Sequence, residues 1–251
     1  MIATTKTLTK SFISLFGVQV HRIPTQEQIE IERHSILELE RKKALSWLKT
    51  VEIKTILDIG ANTGQFAAFI HEICPDAMIY SFEPLGDCYE QLIANFKDVP
   101  RFKAFNLALG DMAGEVEMYR NEHSPSSSLL SMEELHKKSF PYTREEQIQK
   151  INVARLDEFA TNLEIQFPML IKLDVQGFED KVIREGINTI KKAEIIIIEL
   201  SVEHLYEAQP LFDDIYRTLF NLGFQYKGNY DQLHNPIDGR VLQMDGIFVK
   251  R

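Results

Sequence analysis

The segment Thr55-Ile56-Leu57-Asp58-Ile59 is short, apolar and β-rich. It passes through Gly60 and Gly64 directly into Phe66, Phe69, Ile70 and Ile73, spaced as one buried face of a helix. A strand handed to a helix through a glycine-bearing loop is the opening unit of an open α/β sheet, so the chain must layer helices on a sheet. The unit recurs: Met78-Ile79-Tyr80-Ser81-Phe82 reads as a strand ending at Glu83, and Tyr89, Leu92, Ile93 and Phe96 mark the next helix face. A third strand fits residues 102–109, and a short one fits 115–119. The sheet resumes at Met169-Leu170-Ile171-Lys172-Leu173-Asp174, a helix fits 179–192, and Ile195-Ile196-Ile197-Ile198 reads as a strand covered on both faces. After Pro210 the pattern gives a helix through Leu211, Ile215, Leu219 and Leu222, then two last strands at 224–226 and 241–249. The reading is an α/β, Rossmann-like, doubly wound and mainly parallel sheet, with an antiparallel terminal strand where no helix intervenes.

At 251 residues and 44% apolar, the chain suits one such domain at 51–251 with an N-terminal helical extension at 1–50. Thr25-Gln26-Glu27-Gln28 has the form of a capping box, and Ile29, Ile36, Leu37, Leu45 and Leu48 follow at helical intervals, so the extension leads into the core. Residues 121–150 are polar, serine-dense and charged, and fit an insertion over the surface. The apolar run at 12–18 is interrupted by His21, Arg22 and Pro24, far short of a membrane span, and fits a short amphipathic segment. A formal charge of -9 argues against nucleic acid as a partner. Cys74 and Cys88 have no ligand-spaced neighbours and read as reduced core thiols, which suits the cytoplasm. The sequence leaves homo-oligomerisation open.

The loop between the first strand and helix lies where open α/β sheets bind ligands. It has two glycines, Gly60 and Gly64, where the dinucleotide fingerprint has three. Asp58 puts a carboxylate just before the loop, suited to an amino group and repulsive toward phosphate. Glu83, about 25 residues on, suits the hydroxyls of a ribose. These features favour a sulfonium amino-acid cofactor. A nicotinamide-dependent oxidoreductase and a non-catalytic nucleotide-binding module remain the alternatives.

The motifs Asp58-Ile59-Gly60-Ala61-Asn62-Thr63-Gly64, Phe82-Glu83-Pro84, Ala108-Leu109-Gly110-Asp111, Ser127-Ser128-Leu129, Arg155-Leu156-Asp157-Glu158 and Ile171-Lys172-Leu173-Asp174-Val175-Gln176-Gly177-Phe178-Glu179 together resemble the FkbM-type family of class I methyltransferases. The resemblance runs over about residues 55–250. It implies a seven-stranded sheet, S-adenosylmethionine as methyl donor with S-adenosylhomocysteine as product, and a hydroxyl on a small molecule or glycan as acceptor. It also implies that Gly60, Ala61, Asn62 and Gly64 line the methionine part of the cofactor, Glu83 and Pro84 its ribose, and Asn106, Leu107 and Ala108 its adenine. Gln176 departs from the family, which often has Glu there, and this weakens any argument for a metal.

Methyl transfer to a hydroxyl needs alignment and a group to take the proton. Asp174 closes its strand at the rim facing the loop and is the first candidate, with a helix cap as its other reading. Lys172, two residues back, points to the same side and pairs with Asp174 or simply buries its stem. Glu199 ends the next strand and His204 follows it, so these two and Asp174 can converge on one acceptor or on a divalent metal, with His204 better suited as a base than as a ligand. Ser127, Ser128 and, more weakly, His123 are acceptor-side candidates. Glu179 suits the start of its helix.

Overall fold

The computed structural model describes residues 25–251, and the apolar run at 12–18 lies outside them. The chain divides into two units, residues 1–41 and 42–251. In the first, Thr25 and Gln28 form the reciprocal cap expected from the sequence: the Gln28 N–H donates to Thr25 Oγ1 at 3.3 Å and the Thr25 N–H to Gln28 Oε1 at 3.0 Å. This opens α1 (Gln26–Leu45). Ile29, Ile36 and Leu37 are exposed, so the core-directed face of this segment begins only at Leu45 and Leu48, both fully buried.

The second unit is built on a seven-stranded sheet. Along the chain come β1 (Thr55–Ile59), α2 (Gln65–Ile73), β2 (Met78–Phe82), α3 (Gly86–Phe96), β3 (Phe102–Phe105), β4 (Ala108–Leu109), β5 (Gly114–Asn121), α4 (Glu134–Ser139), β6 (Glu146–Ala154) and α5 (Leu156–Ala160). There follow β7 (Met169–Leu173), α6 (Glu179–Arg184), α7 (Ile187–Ile190), β8 (Ile195–Ser201), α8 (Phe212–Asn221), β9 (Phe224–His234) and β10 (Val241–Lys250). The sheet order is β3-β2-β1-β7-β8-β10-β9. The first five strands pair in parallel, and β10 lies antiparallel between β8 and β9. The reversal at β1 opens a crevice at the carboxyl ends of β1 and β7, the usual ligand position in such sheets.

Alternation along the strands divides the core into two layers. Leu57, Ile59, Tyr80, Phe82, Ile171, Leu173, Ile196 and Ile198 pack on one face with Val182, Ile190, Ile215 and Leu219. Ile56, Ile79, Leu170, Ile195 and Ile197 pack on the other with Phe66, Ile70, Leu92, Phe96, Leu45 and Leu48. β1 and β7 are buried along their whole length, which explains their continuous apolar sequence.

Local periodicity misses several elements. Residues 102–109 do not form one strand: β3 ends the large sheet, and β4 joins a second sheet of order β4-β6-β5. Residues 121–150 carry a short helix and the start of β6, and Asn121, Ser126, Ser127, Ser128, His136, Ser139 and Thr143 are buried. The helix expected over 179–192 is two, α6 and α7, parted at Glu185 and Gly186. β9 extends through most of the residues that read as a linker, because its alternating polar side chains suit an edge strand with one wet face. No helix among the described residues is long and apolar enough to cross a membrane.

Candidate active site

The β1–α2 loop is held tightly. The Gly60 and Ala61 N–H groups both donate to the Phe82 carbonyl, at 3.1 and 2.9 Å, and the Asp174 N–H donates to the Ile59 carbonyl at 3.0 Å. Gly60 has φ +87°, and a Cβ there would lie 1.8 Å from the Asp174 carbonyl oxygen. Gly64 has φ +95° at the start of α2, where a Cβ would lie 2.5 Å from Phe96 and 2.7 Å from Leu92. Asn62 also adopts positive φ, +48°, a conformation that Asn tolerates better than most residues. Its Oδ1 accepts the Thr63 N–H at 2.8 Å, and its Nδ2 donates to Ser124 Oγ at 2.9 Å, joining the loop to the serine-rich segment.

Two buried carboxyls flank this loop. Asp58 is fully buried; its Oδ2 accepts Ser81 Oγ–H at 3.1 Å, while its Oδ1 has no hydrogen-bond partner among the described residues. Burial pushes its carboxyl up to about 6 against the pull of the Lys172 ammonium. Glu83 ends β2 with its Oε2 accepting the Asn62 N–H and its Oε1 the Leu85 N–H, both at 2.8 Å. Burial raises it to about 7 even so. Asn106 braces that turn by donating to the Glu83 and Pro84 carbonyls, each at 3.0 Å, so its side chain serves the Glu83 backbone. Leu107 and Ala108 are half-buried beside it.

A third cluster stands on the ends of β7 and β8. Lys172 sits opposite Asp58 in the strand register, 5% exposed, with its ammonium 5.4 Å from the centre of the Phe66 ring. Its Nζ donates to Asp174 Oδ2 at 2.6 Å. Burial alone would lower its pKa, but Asp174, Asp58 and Asp245 outweigh that and hold it above the ordinary lysine value. The Gln176 carboxamide bridges the two strands, its Nε2 donating to Asp174 Oδ1 at 2.7 Å and Glu199 Oε2 at 3.0 Å. Its Oε1 lies 2.9 Å from the hydroxyl of Tyr206, a buried residue that nothing in the sequence marks out, since a lone Tyr in a polar connection has no periodicity to betray it. Glu199 is pushed well above the ordinary carboxylate value by burial and by Asp174, Glu179 and Asp245. Glu179 spends its Oε1 on the Val175 and Gly177 N–H groups, tying the turn before α6, and burial raises it to about 7.

The structure therefore brings Lys172, Asp174 and Glu199 together. It leaves His204 exposed, with no hydrogen bond or ion pair to either carboxyl. Ser127 Oγ accepts the Asn121 N–H, and Ser128 Oγ donates to the Gln176 carbonyl at 2.6 Å, so both serines hold the segment in place. His123 lies 3.2 Å from Ser126 Oγ and edge-on to Tyr142. Among the described residues no three His, Cys, Asp or Glu side chains gather as a metal site.

Raised carboxyls make stability depend on pH. Asp58, Glu83 and Glu179 bind protons more tightly folded than unfolded, so their contribution is full near pH 4 and is lost as pH rises through about 6–7. His136, lowered to about 4 by burial, pulls the other way between pH 4 and 6.5. Glu83→Gln is expected to flatten the fall in melting temperature between pH 5 and 8, as read by calorimetry; an unchanged slope would contradict the raised Glu83 carboxyl.

Comparison with known proteins agrees with this geometry. A family model described as the methyltransferase FkbM domain matches residues 58–226, from Asp58 to the start of β9. Among curated relatives, the chain is 28% identical to "2-O-methyltransferase NoeI" of Sinorhizobium fredii, over 61% of this chain and 66% of that protein. It is 30% identical to "Methyltransferase sdnD" of Sordaria araneosa over 48% of this chain and 43% of that one. It is 26% identical to "Hexuronic acid methyltransferase AglP" of Haloferax volcanii over 71% and 70%. The chain thus spans just under two thirds of the first of these and less than half of the second. The matched span contains the β1–α2 loop, Glu83, the Lys172–Asp174–Gln176 turn and Glu199: the chain belongs to the FkbM methyltransferase family, whose methyl donor is S-adenosylmethionine.

Proposed function

We propose that this protein transfers a methyl group from S-adenosylmethionine to a hydroxyl of a glycan or other small molecule, in the cytoplasm. The observation that carries the reading is the buried Oδ1 of Asp58, unpartnered among the described residues, beside a glycine loop inside the matched family span. A buried carboxylate oxygen without a donor is costly, and the cofactor's ammonium is a donor of the right charge. Gly60 to Gly64 would take the methionine chain, the Glu83 carboxylate the ribose, and the backbone around Asn106, Leu107 and Ala108 the adenine. Bound there, the cofactor supplies an electrophilic methyl group. The chain's own part is to hold it, exclude water, and place the acceptor hydroxyl near the Asp174–Glu199 cluster. The oxygen acceptor rests on the resemblance to the 2-O- and hexuronic acid methyltransferases named above.

Calorimetric titration with S-adenosylhomocysteine, with NAD as control, tests the reading. Saturable binding of the first alone is expected, and preference for NAD would overturn it. Glu83→Ala is expected to weaken that binding by about 10–100-fold, the value of hydrogen bonds to a charged group at roughly 1.5–3 kcal/mol. An unchanged affinity in a variant that still melts cooperatively would remove Glu83 from the ribose contact.

A further inference from the structure

The carboxyl pair at the ends of β7 and β8 is not symmetric, and its hydrogen bonds decide which member is free to act. Asp174 has both oxygens engaged, Oδ2 by the buried Lys172 ammonium and Oδ1 by Gln176 Nε2. A proton arriving on Asp174 would have to compete with a cation 2.6 Å away. Glu199 has only Oε2 engaged, by the other hydrogen of the same amide. Its Oε1 has no hydrogen-bond partner among the described residues, and the residue is half-buried. With its NH2 facing the two carboxyls, the amide turns Oε1 to the Tyr206 hydroxyl, 2.9 Å away. Tyr206 is fully buried, and its single hydroxyl proton is shared between Gln176 Oε1 and the Ser126 carbonyl, 3.1 Å away, which sets the bridge beside the serine-rich segment.

We propose that Glu199 takes the proton of the acceptor hydroxyl through Oε1, and that Gln176 is the residue that positions it. The proposal rests on the methyltransferase reading. As the acceptor oxygen forms its bond to the methyl carbon, its O–H bond breaks and the proton passes to Glu199. The C–S bond breaks with its electron pair remaining on sulfur, so the sulfonium becomes a neutral thioether and the carboxylate a carboxylic acid. Among the described residues, the charged groups that act on Glu199 are Lys172 on β7 and Asp174 just past its end, Glu179 on α6, and Asp245 opposite it on β10. Burial and the negative charge of Asp174, Glu179 and Asp245 raise the proton affinity of Glu199 above that of an ordinary carboxylate, so it takes the hydroxyl proton from its ionised fraction, which grows as pH rises.

The first measurement needs no acceptor. In protein labelled at glutamate carboxyl carbons, the NMR signal missing from Glu199→Gln should titrate well above the ordinary glutamate range, and Gln176→Leu, which removes the donor to Oε2, should move it higher still. A Glu199 signal titrating at the ordinary value overturns the proposal. The second uses hexuronic acids and methyl glycosides with a free 2-hydroxyl as probes, following release of S-adenosylhomocysteine. Glu199→Gln should lower kcat by about 10²–10⁴-fold with affinity for S-adenosylhomocysteine unchanged, and Glu199→Asp should restore part of it. A Glu199→Gln variant with wild-type kcat overturns the proposal; if no probe turns over, the titration alone decides. Failure of the wild type to bind S-adenosylhomocysteine strikes the methyltransferase reading instead, and is seen independently of the titration.

Discussion

Gly60→Ala is expected to destabilise the protein by about 2–5 kcal/mol and to abolish measurable binding of S-adenosylhomocysteine. The new Cβ would lie 1.8 Å from the Asp174 carbonyl oxygen, a backbone atom that no side-chain rotation can move aside. Relieving the overlap means parting the ends of β1 and β7, where the Asp174 N–H already bonds the Ile59 carbonyl. Overpacking of this kind costs roughly 1–3 kcal/mol, and placing an L-residue at φ +87° adds about 1–2 kcal/mol. For a chain of this size that lowers the melting temperature on the order of 10 °C. The contrast is Gly64→Ala, whose Cβ would meet the Phe96 and Leu92 side chains rather than backbone, and whose loss should be smaller. Equal melting temperatures for wild type and Gly60→Ala would show that the loop is not clamped against β7 as described.

Those two glycines also mark where the sequence is legible. Their loop, the strands around it and the sheet's antiparallel end follow from periodicity and turn chemistry, because β1, β7 and β8 are buried on both faces and must be written in continuous apolar residues. β6 is written differently: it pairs β5 and β4 in a small partly wet sheet, so its residues Glu146 to Lys150 look like loop. Asp58 and Glu83 could be singled out by position alone. The bridge through Gln176 could not, since Gln176, Glu199 and Tyr206 meet only when β7, β8 and the connection after β8 come together. Likewise, Ser127, Ser128 and Asn106 invite a ligand-facing reading as polar residues near a site, yet each completes a backbone hydrogen bond inside the protein. A hydroxyl or amide next to a strained turn is claimed first by unpaired backbone groups, and the sequence does not reveal which backbone groups are unpaired.

Lys172→Met is expected to cost about 3 kcal/mol, and the loss should depend on pH in a way that identifies its cause. The ammonium is a buried counter-charge to Asp174 and Asp58, which with Asp245 raise its pKa, and it is 5% exposed, so removing it strands negative charge on Asp174 and Asp58 rather than merely losing a contact. Breaking a buried pair by deleting one partner costs roughly 3–5 kcal/mol. The lower end applies because the Asp174 side chain keeps 28% of its exposure and some access to water. Asp58 has no such outlet. Already pushed to about 6 with Lys172 present, it should bind its proton still more tightly without it. Lowering the pH therefore neutralises the stranded carboxyls, and the gap in melting temperature between wild type and Lys172→Met should narrow from pH 8 to pH 5. Adding Asp174→Asn to Lys172→Met should recover part of the loss even at pH 8, since replacing both partners removes the uncompensated charge. A gap that is constant with pH, and a double variant no more stable than Lys172→Met, would mean that the lysine's contribution is the packing of its stem and not its charge.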